Sequence, residues 1–141
     1  MRQPLRSVVR PLTAYVTVPG ERPLPLPAEL QYDVDDPYAV RLVLDAPSST
    51  SVDWVFARDL LINGMRRFAG TGDVLVIPPH RCRPDLVRII LRSSAGMATI
   101  GIPRSSVSRF LRRTVRLVRP GTESLHIDLD KAVGELTGRT D

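Results

Sequence analysis

The stretch LVRIILRSSAGMATIGIPRSSVSRFLRRTVRLV, residues 86–118, changes its hydrophobic period at Pro103. Leu86 to Arg92 and Met97 to Ile102 are near-continuous apolar runs of strand length. Turn residues Ser93-Ser94-Ala95-Gly96 join them, so the pair reads as a hairpin buried on both faces. Beyond Pro103 the spacing becomes helical. Val107, Phe110, Leu111, Val115 and Val118 recur at i, i+3 and i+4 and form one apolar stripe. Pro103 and Pro120-Gly121 bound this helix, which is read over Ser105 to Val118. A hairpin feeding an amphipathic helix is an α+β pattern.

Working toward the N-terminus, the chain alternates strands and turns. Val74 to Ile77 reads as a strand, ended by Pro78-Pro79 and preceded by the tight turn Gly70-Thr71-Gly72-Asp73. Val52, Trp54 and Phe56 alternate along a strand that runs into a short helix, Arg58 to Asn63. A continuous helix from Trp54 to Asn63 is the competing reading. Gly64 suits the left-handed position after a helix. Tyr38 to Leu44 is a strong strand, with Val40, Leu42 and Leu44 on one face. Asp35-Asp36-Pro37 is turn chemistry before it, and Ala28 to Asp33 is another strand. Pro23, Pro25 and Pro27 cannot donate to a ladder, so they predict a connector or an edge. Thr13 to Val18 is β-branched and aromatic, stopped by Pro19-Gly20. Toward the C-terminus, Asp128 to Thr137 fits a last short helix, with two acids in its first turn where the helix dipole favours them. The predicted fold is α+β: a mostly antiparallel sheet, a short mid-chain helix and two C-terminal helices. Trp54, Phe56, Phe68 and Phe110 are expected in its core.

The chain has 141 residues, enough for one domain that folds without disulfides or metal. Residues 1–10 read as a basic N-terminal extension and residues 11–141 as a single domain. Cys82 is the only cysteine, so no intrachain disulfide forms. No stretch approaches the ~18–20 apolar residues that span a membrane, and no secretory h-region is seen. The cytoplasm is the expected compartment. Charge is distributed unevenly. Residues 54–119 hold thirteen basic and three acidic residues, whereas 120–141 hold two basic and five acidic ones. A basic middle attracts an anionic partner or pairs with the acidic ends.

Counting residues argues against an enzyme. Only His80 and His126 could act as a general base, and no Gly-x-Ser-x-Gly elbow accompanies either. His80-x-Cys82 supplies two of the three or four ligands a metal needs, in a loop whose Arg81 and Arg83 repel cations. Gly70-x-Gly72 is too short for a phosphate-binding loop and reads as a turn. No catalytic, cofactor-binding or metal residue is expected. The sharpest pattern is on the long helix. Arg109, Arg112, Arg113 and Arg116 lie within an arc of about 100° opposite the apolar stripe. No acid on this helix lies within one turn of them. Three readings stand: a solvated face, a surface for an acidic protein or nucleic acid, or pairing with the acidic tail.

Ordered sequence blocks add a resemblance. They are Leu30-Gln31-Tyr32-Asp33 with Asp36-Pro37-Tyr38-Ala39-Val40, then Val52-Asp53-Trp54-Val55-Phe56-Ala57-Arg58-Asp59-Leu60-Leu61. Gly70-Thr71-Gly72-Asp73-Val74, Phe110-Leu111-Arg112-Arg113-Thr114, Pro120-Gly121-Thr122-Glu123 and Asp128-Leu129-Asp130 follow. Together, over roughly residues 12–137, they resemble the SsgA-like proteins of sporulating actinomycetes. The resemblance implies a whirly-like fold, a trimer and a non-enzymatic regulator of sporulation-specific cell division. It implies no catalytic residues and no cofactor. The expected partners are the division protein FtsZ or another SsgA-like protein, at division septa. The alternative is a single-stranded nucleic-acid binder on the whirly-like scaffold.

Overall fold

The structure, a computed structural model, describes residues 6–45, 51–70 and 72–127. Seven strands form one antiparallel sheet. They are β1 (Ser7–Thr17), β2 (Leu24–Asp33), β3 (Asp36–Asp45), β4 (Ser51–Ala57), β5 (Val74–Ile77), β6 (Leu86–Ser93) and β7 (Gly96–Pro103). Their order in the sheet is β4-β3-β2-β1-β7-β6-β5. Two helices, α1 (Arg58–Gly64) and α2 (Arg104–Leu117), and a 3-10 turn at Glu123–His126 complete the described chain. The α+β class with a short mid-chain helix and a long α2 is as read from the sequence. The last expected helix, Asp128 to Thr137, lies outside the described residues.

Strand alternation sets one inner face. Val8, Ala14, Leu30, Tyr32, Val40, Leu42, Phe56, Val76, Val87, Ile89, Ile100 and Ile102 are all buried there. They meet across strands in register, as in Val8 opposite Tyr32, Val40 opposite Phe56 and Ile89 opposite Ile100. α1 touches β3 and β4 on one flank and β5 on the opposite edge. The sheet therefore curls around α1. α2 lies against β1, β6 and β7 and inserts Val107, Phe110 and Leu111 into the same core. Phe110 is fully buried, so truncating it to Ala costs about 3–5 kcal/mol.

Several local expectations are corrected. Pro25 and Pro27 belong to β2, paired with Tyr15 and Thr13 of β1. The β2–β3 pairing starts only at Ala28, so among the described residues this end of β2 is paired with β1 alone, which is the edge reading and not the connector. Ser7 to Arg10, read as part of an N-terminal extension, opens β1, and Arg6 is ion-paired to Asp35 beside the β2–β3 turn. In that turn the Asp33 carboxylate accepts the Asp35 amide at 2.8 Å. The segment from Trp54 is a strand to Ala57 and a helix only from Arg58, which excludes the continuous helix.

Gly64 is the last residue of α1, and the helix is capped by Met65 at φ −71°. A Cβ on Gly64 would lie 2.2 Å from Val76 Cγ1, so close approach to β5 explains the glycine. The β6–β7 hairpin turns through Ser94-Ala95, with Ser93 Oγ accepting the Ala95 amide and Gly96 at φ 142°. Its outer face is not buried: Leu86, Arg88 and Ile90 are only partly covered. Phe68, expected in the core, is 59% exposed, while Phe56 and Phe110 are buried and Trp54, partly buried, packs against the core.

Candidate functional site

α2 presents its arginines outward. Arg109, Arg112, Arg113 and Arg116 are all exposed, while Val107, Phe110, Leu111 and Thr114 behind them are buried. The four span about 10 Å along the helix axis at 1.5 Å per residue. Among the described residues none of them is ion-paired. Glu123, one candidate partner from the acidic end, pairs elsewhere. Asp128 and Asp130 lie outside the described residues. α2 itself carries no acid, so the field over this face is positive.

A buried arginine fixes the helix beneath that face. Arg58, the first residue of α1, is fully buried. Its guanidinium donates to the carbonyls of Thr114 at 3.2 Å and Val118 at 2.7 Å, at the C-terminal end of α2. The Thr114 carbonyl also accepts the Val118 amide at 2.9 Å, whereas the Val118 carbonyl lies past the last turn, where a helix leaves acceptors open and a cation is favoured. The same guanidinium donates to Glu123 Oε2 at 3.1 Å and sits 5.0 Å from the centre of the Tyr32 ring. Glu123 Oε1 accepts the Gly121 amide at 2.7 Å. The Tyr32 hydroxyl donates to the Pro37 carbonyl at 2.8 Å. Strands β2 and β3, helices α1 and α2 and the 3-10 turn are thus tied at one point.

Electrostatics follow this geometry. The amide of Glu123 itself holds its carboxyl below the ordinary carboxylate range, assisted by Arg58 and the Gly121 amide and opposed by burial. Burial raises the Tyr32 phenol above its ordinary value, partly offset by Arg58. Nothing in the sequence reading singled out Arg58 as buried. The available signal was its spacing: Arg58, Leu61 and Gly64 recur at i, i+3 and i+6, and all three are buried in α1.

Past the lock, the C-terminal end of α2 and the 3-10 turn flank an open groove of about 490 Å³. Arg116, Arg119 and His126 line it beside Leu125, which is 79% exposed. The arginine row therefore ends in a mixed basic and apolar patch. Such a surface suits an acidic partner that also offers an apolar side chain. His80 and Cys82 lie far along the chain in an exposed loop, where His80 Nδ1 accepts the Cys82 amide at 3.1 Å. No group of three or more potential metal ligands occurs among the described residues, and no helix in them is long and apolar enough to cross a membrane.

Comparison with known proteins agrees with the blocks read in the sequence. Residues 26–123 match the family described as Streptomyces sporulation and cell division protein, SsgA. The sporulation-specific cell division protein SsgB of Streptomyces coelicolor is 43% identical over 121 residues, covering 86% of this chain and 88% of that protein. SsgB of Salinispora tropica is 44% identical, over 92% of this chain and 96% of its own. The solved SsgA-like sporulation-specific cell division protein from Thermobifida fusca superposes with a TM-score of 0.83 at 38% identity, covering 96% of this chain and 98% of that one. A solved chain from work on SsgB mutations that correlate to longitudinal cell division during sporulation of Streptomyces coelicolor gives 0.79 at 42% identity, covering 86% and 95%. The family match over residues 26–123 and relatives of this identity and coverage place the chain in the SsgA-like family of sporulation and cell division proteins.

Proposed function

We propose that the chain is a non-enzymatic adaptor of sporulation-specific cell division, docking an acidic protein of the division machinery on the arginine face of α2. Membership of a family whose relatives are named sporulation-specific cell division proteins supplies the process. One observation carries the adaptor reading. Arg109, Arg112, Arg113 and Arg116 are exposed on a single face and not ion-paired among the described residues, on a helix whose opposite face is packed and whose end is held by Arg58. A planar guanidinium meets a carboxylate through two parallel hydrogen bonds and stays charged at any physiological pH. Four of them on a rigid helix steer and orient an acidic surface, and Leu125 beside Arg116 supplies an apolar contact.

The proposed partner is FtsZ or another SsgA-like protein, met in the cytoplasm at the septum. The proposed assembly is a homotrimer of whirly-like subunits. An apolar opening at the mouth of the curled sheet favours self-association: Val52 and Met97 are about two-fifths exposed there, next to Leu26, Leu44 and Trp54.

The adaptor reading is tested with purified proteins. Binding of FtsZ, or of a second SsgA-like protein, is measured against salt for the wild type and for Arg112→Glu/Arg113→Glu. The double reversal is expected to weaken binding by roughly tenfold or more and to flatten its salt dependence. Equal affinity for both forms, at matched stability, refutes the α2 face as the docking surface.

A further inference from the structure

The turn after α1 holds an aromatic ring out of the fold. Phe68 is 59% exposed, yet the backbone is fixed on both sides of it. The amides of Arg66 and Arg67 each donate to the Asn63 carbonyl at 3.1 Å. Ala69 exchanges two backbone hydrogen bonds with Val76 of β5, at 3.0 and 2.8 Å. A tied backbone therefore presents the ring, not a loose loop. Val76 is buried in the core, and residues opposite one another share a face. Phe68, one place from Ala69, falls on the outer face beside Ile77 as the antiparallel register continues. Ile77, Pro78 and Pro79 are only partly covered, so the ring adjoins a small apolar strip.

Arginines flank this strip. Arg66 and Arg67 precede the ring. Arg81 and Arg83 follow Pro78-Pro79, in the loop that leaves the same end of β5. A bridge between His80 and Arg83 folds that loop back on itself. All four arginines are exposed, and none is ion-paired among the described residues. No acid occurs from Met65 to Gly72, and Asp85 is the one acid in the loop between β5 and β6. The two segments thus carry four guanidinium charges against one carboxylate. They share no residue with the arginine face of α2.

We propose that this patch rests on an anionic lipid surface, with Phe68 seated at the headgroup level and Arg66, Arg67, Arg81 and Arg83 on lipid phosphates. Aromatic rings favour that depth, where an apolar body meets a polar layer. A basic cluster is drawn to an anionic leaflet by about 1 kcal/mol per arginine, which is roughly fivefold in affinity. An apolar anchor or a basic patch alone binds lipid weakly, and the two together hold. Arginine also lays its apolar stem along the interface while its charge stays hydrated. The projecting ring favours lipid over the other polyanions. A nucleic-acid duplex meets the arginines with phosphates but gives the ring no apolar contact. A folded acidic protein needs a cavity shaped to the ring, whereas a fluid headgroup layer accepts a knob of any outline. Contact with lipid here leaves the α2 face open to a protein partner, so this proposal and the adaptor reading fail separately.

The test is flotation of the purified full chain with vesicles of phosphatidylglycerol and phosphatidylcholine, against vesicles of phosphatidylcholine alone, across a salt series. The wild type is expected to float with the anionic vesicles, less so as salt rises, and to stay behind with the neutral ones. Arg66→Gln/Arg67→Gln should weaken binding by about 25-fold, two arginines at roughly fivefold each. Phe68→Ser leaves the charge intact and should cost about tenfold, the low end for burying such a ring, whereas Phe68→Trp retains binding. All of these side chains are exposed, so melting temperatures should match the wild type. Should the first pair fail to fold, Arg81→Gln/Arg83→Gln in the other loop decides, with the same loss expected. Arg112→Glu/Arg113→Glu should float like the wild type. Failure of the wild type to float with anionic vesicles overturns the proposal, as does equal flotation with neutral ones. Patch variants that float like the wild type also overturn it, and so does a loss confined to the α2 variant. A wild type that ignores vesicles but binds an oligonucleotide through Arg66 and Arg67 assigns the patch to nucleic acid and overturns it too.

Discussion

Arg58→Met is the sharpest perturbation of the frame behind the arginine face. Methionine approximates the length and apolar bulk of the side chain but removes its charge and all of its donors. The guanidinium loses bonds to Thr114 O, Val118 O and Glu123 Oε2, at 3.2, 2.7 and 3.1 Å. Each hydrogen bond to a charged group contributes about 1.5–3 kcal/mol, yet the desolvation cost of the buried cation disappears as well, so these do not simply add. What remains is a carboxylate beneath the surface with its main counter-charge gone and a Val118 carbonyl that has lost this donor, whereas the Thr114 carbonyl still accepts the Val118 amide. Breaking one side of a buried pair costs about 3–5 kcal/mol. For a domain of this size that corresponds to a fall in Tm of roughly 10–20 °C. The assay is chemical and thermal unfolding of the single variant and of Arg58→Met/Glu123→Leu. The double variant is expected to recover part of the loss, because no unpaired carboxylate is left behind. A single variant within about 1 kcal/mol of the wild type, or a double variant that shows no coupling, refutes the claim that this pair fastens α2.

Three further outcomes are expected. The Glu123 carboxyl is held below its ordinary value, so its contribution to stability is complete above the unfolded carboxylate pKa of about 4.3 and is lost as pH falls through the lower folded value. The Tm difference between the wild type and Glu123→Gln should therefore stay constant from neutral pH to about 5 and shrink only in more acid solution; a difference that grows on acidification contradicts the assignment. Gly64→Ala forces a Cβ to 2.2 Å from Val76 and should destabilise by about 1–3 kcal/mol, with Gly64→Ala/Val76→Ala recovering part of it; a neutral single variant refutes the close-packing account. Light scattering at micromolar concentration should report a homotrimer, and a monomer across that range contradicts the proposed assembly.

Much of the fold could be read from the chain because period reports burial. Val40, Leu42 and Leu44 alternate and are buried, and Val107, Phe110 and Leu111 recur helically and are buried. Where the reading failed, tertiary context overrode a local rule. Gly64 answers to Val76 of a distant strand, which no local signal contains. Phe68 follows α1 between the helix and the Ala69 bridge to Val76 and stays exposed despite its apolar ring.

The candidate site was legible on one face only. The arginine row on α2 could be counted from its spacing. Arg58 and Glu123 are sixty-five positions apart, and their pairing needs the whole fold.

Docking of the division machinery on the arginine face of α2 is tested in sporulating filaments. A fluorescent fusion of the wild type is expected at division septa. The Arg112→Glu/Arg113→Glu fusion should be diffuse, while the purified variant melts close to the wild type, since exposed charges contribute less than about 1 kcal/mol each. Septal localisation of the double reversal at wild-type intensity would contradict docking through this face.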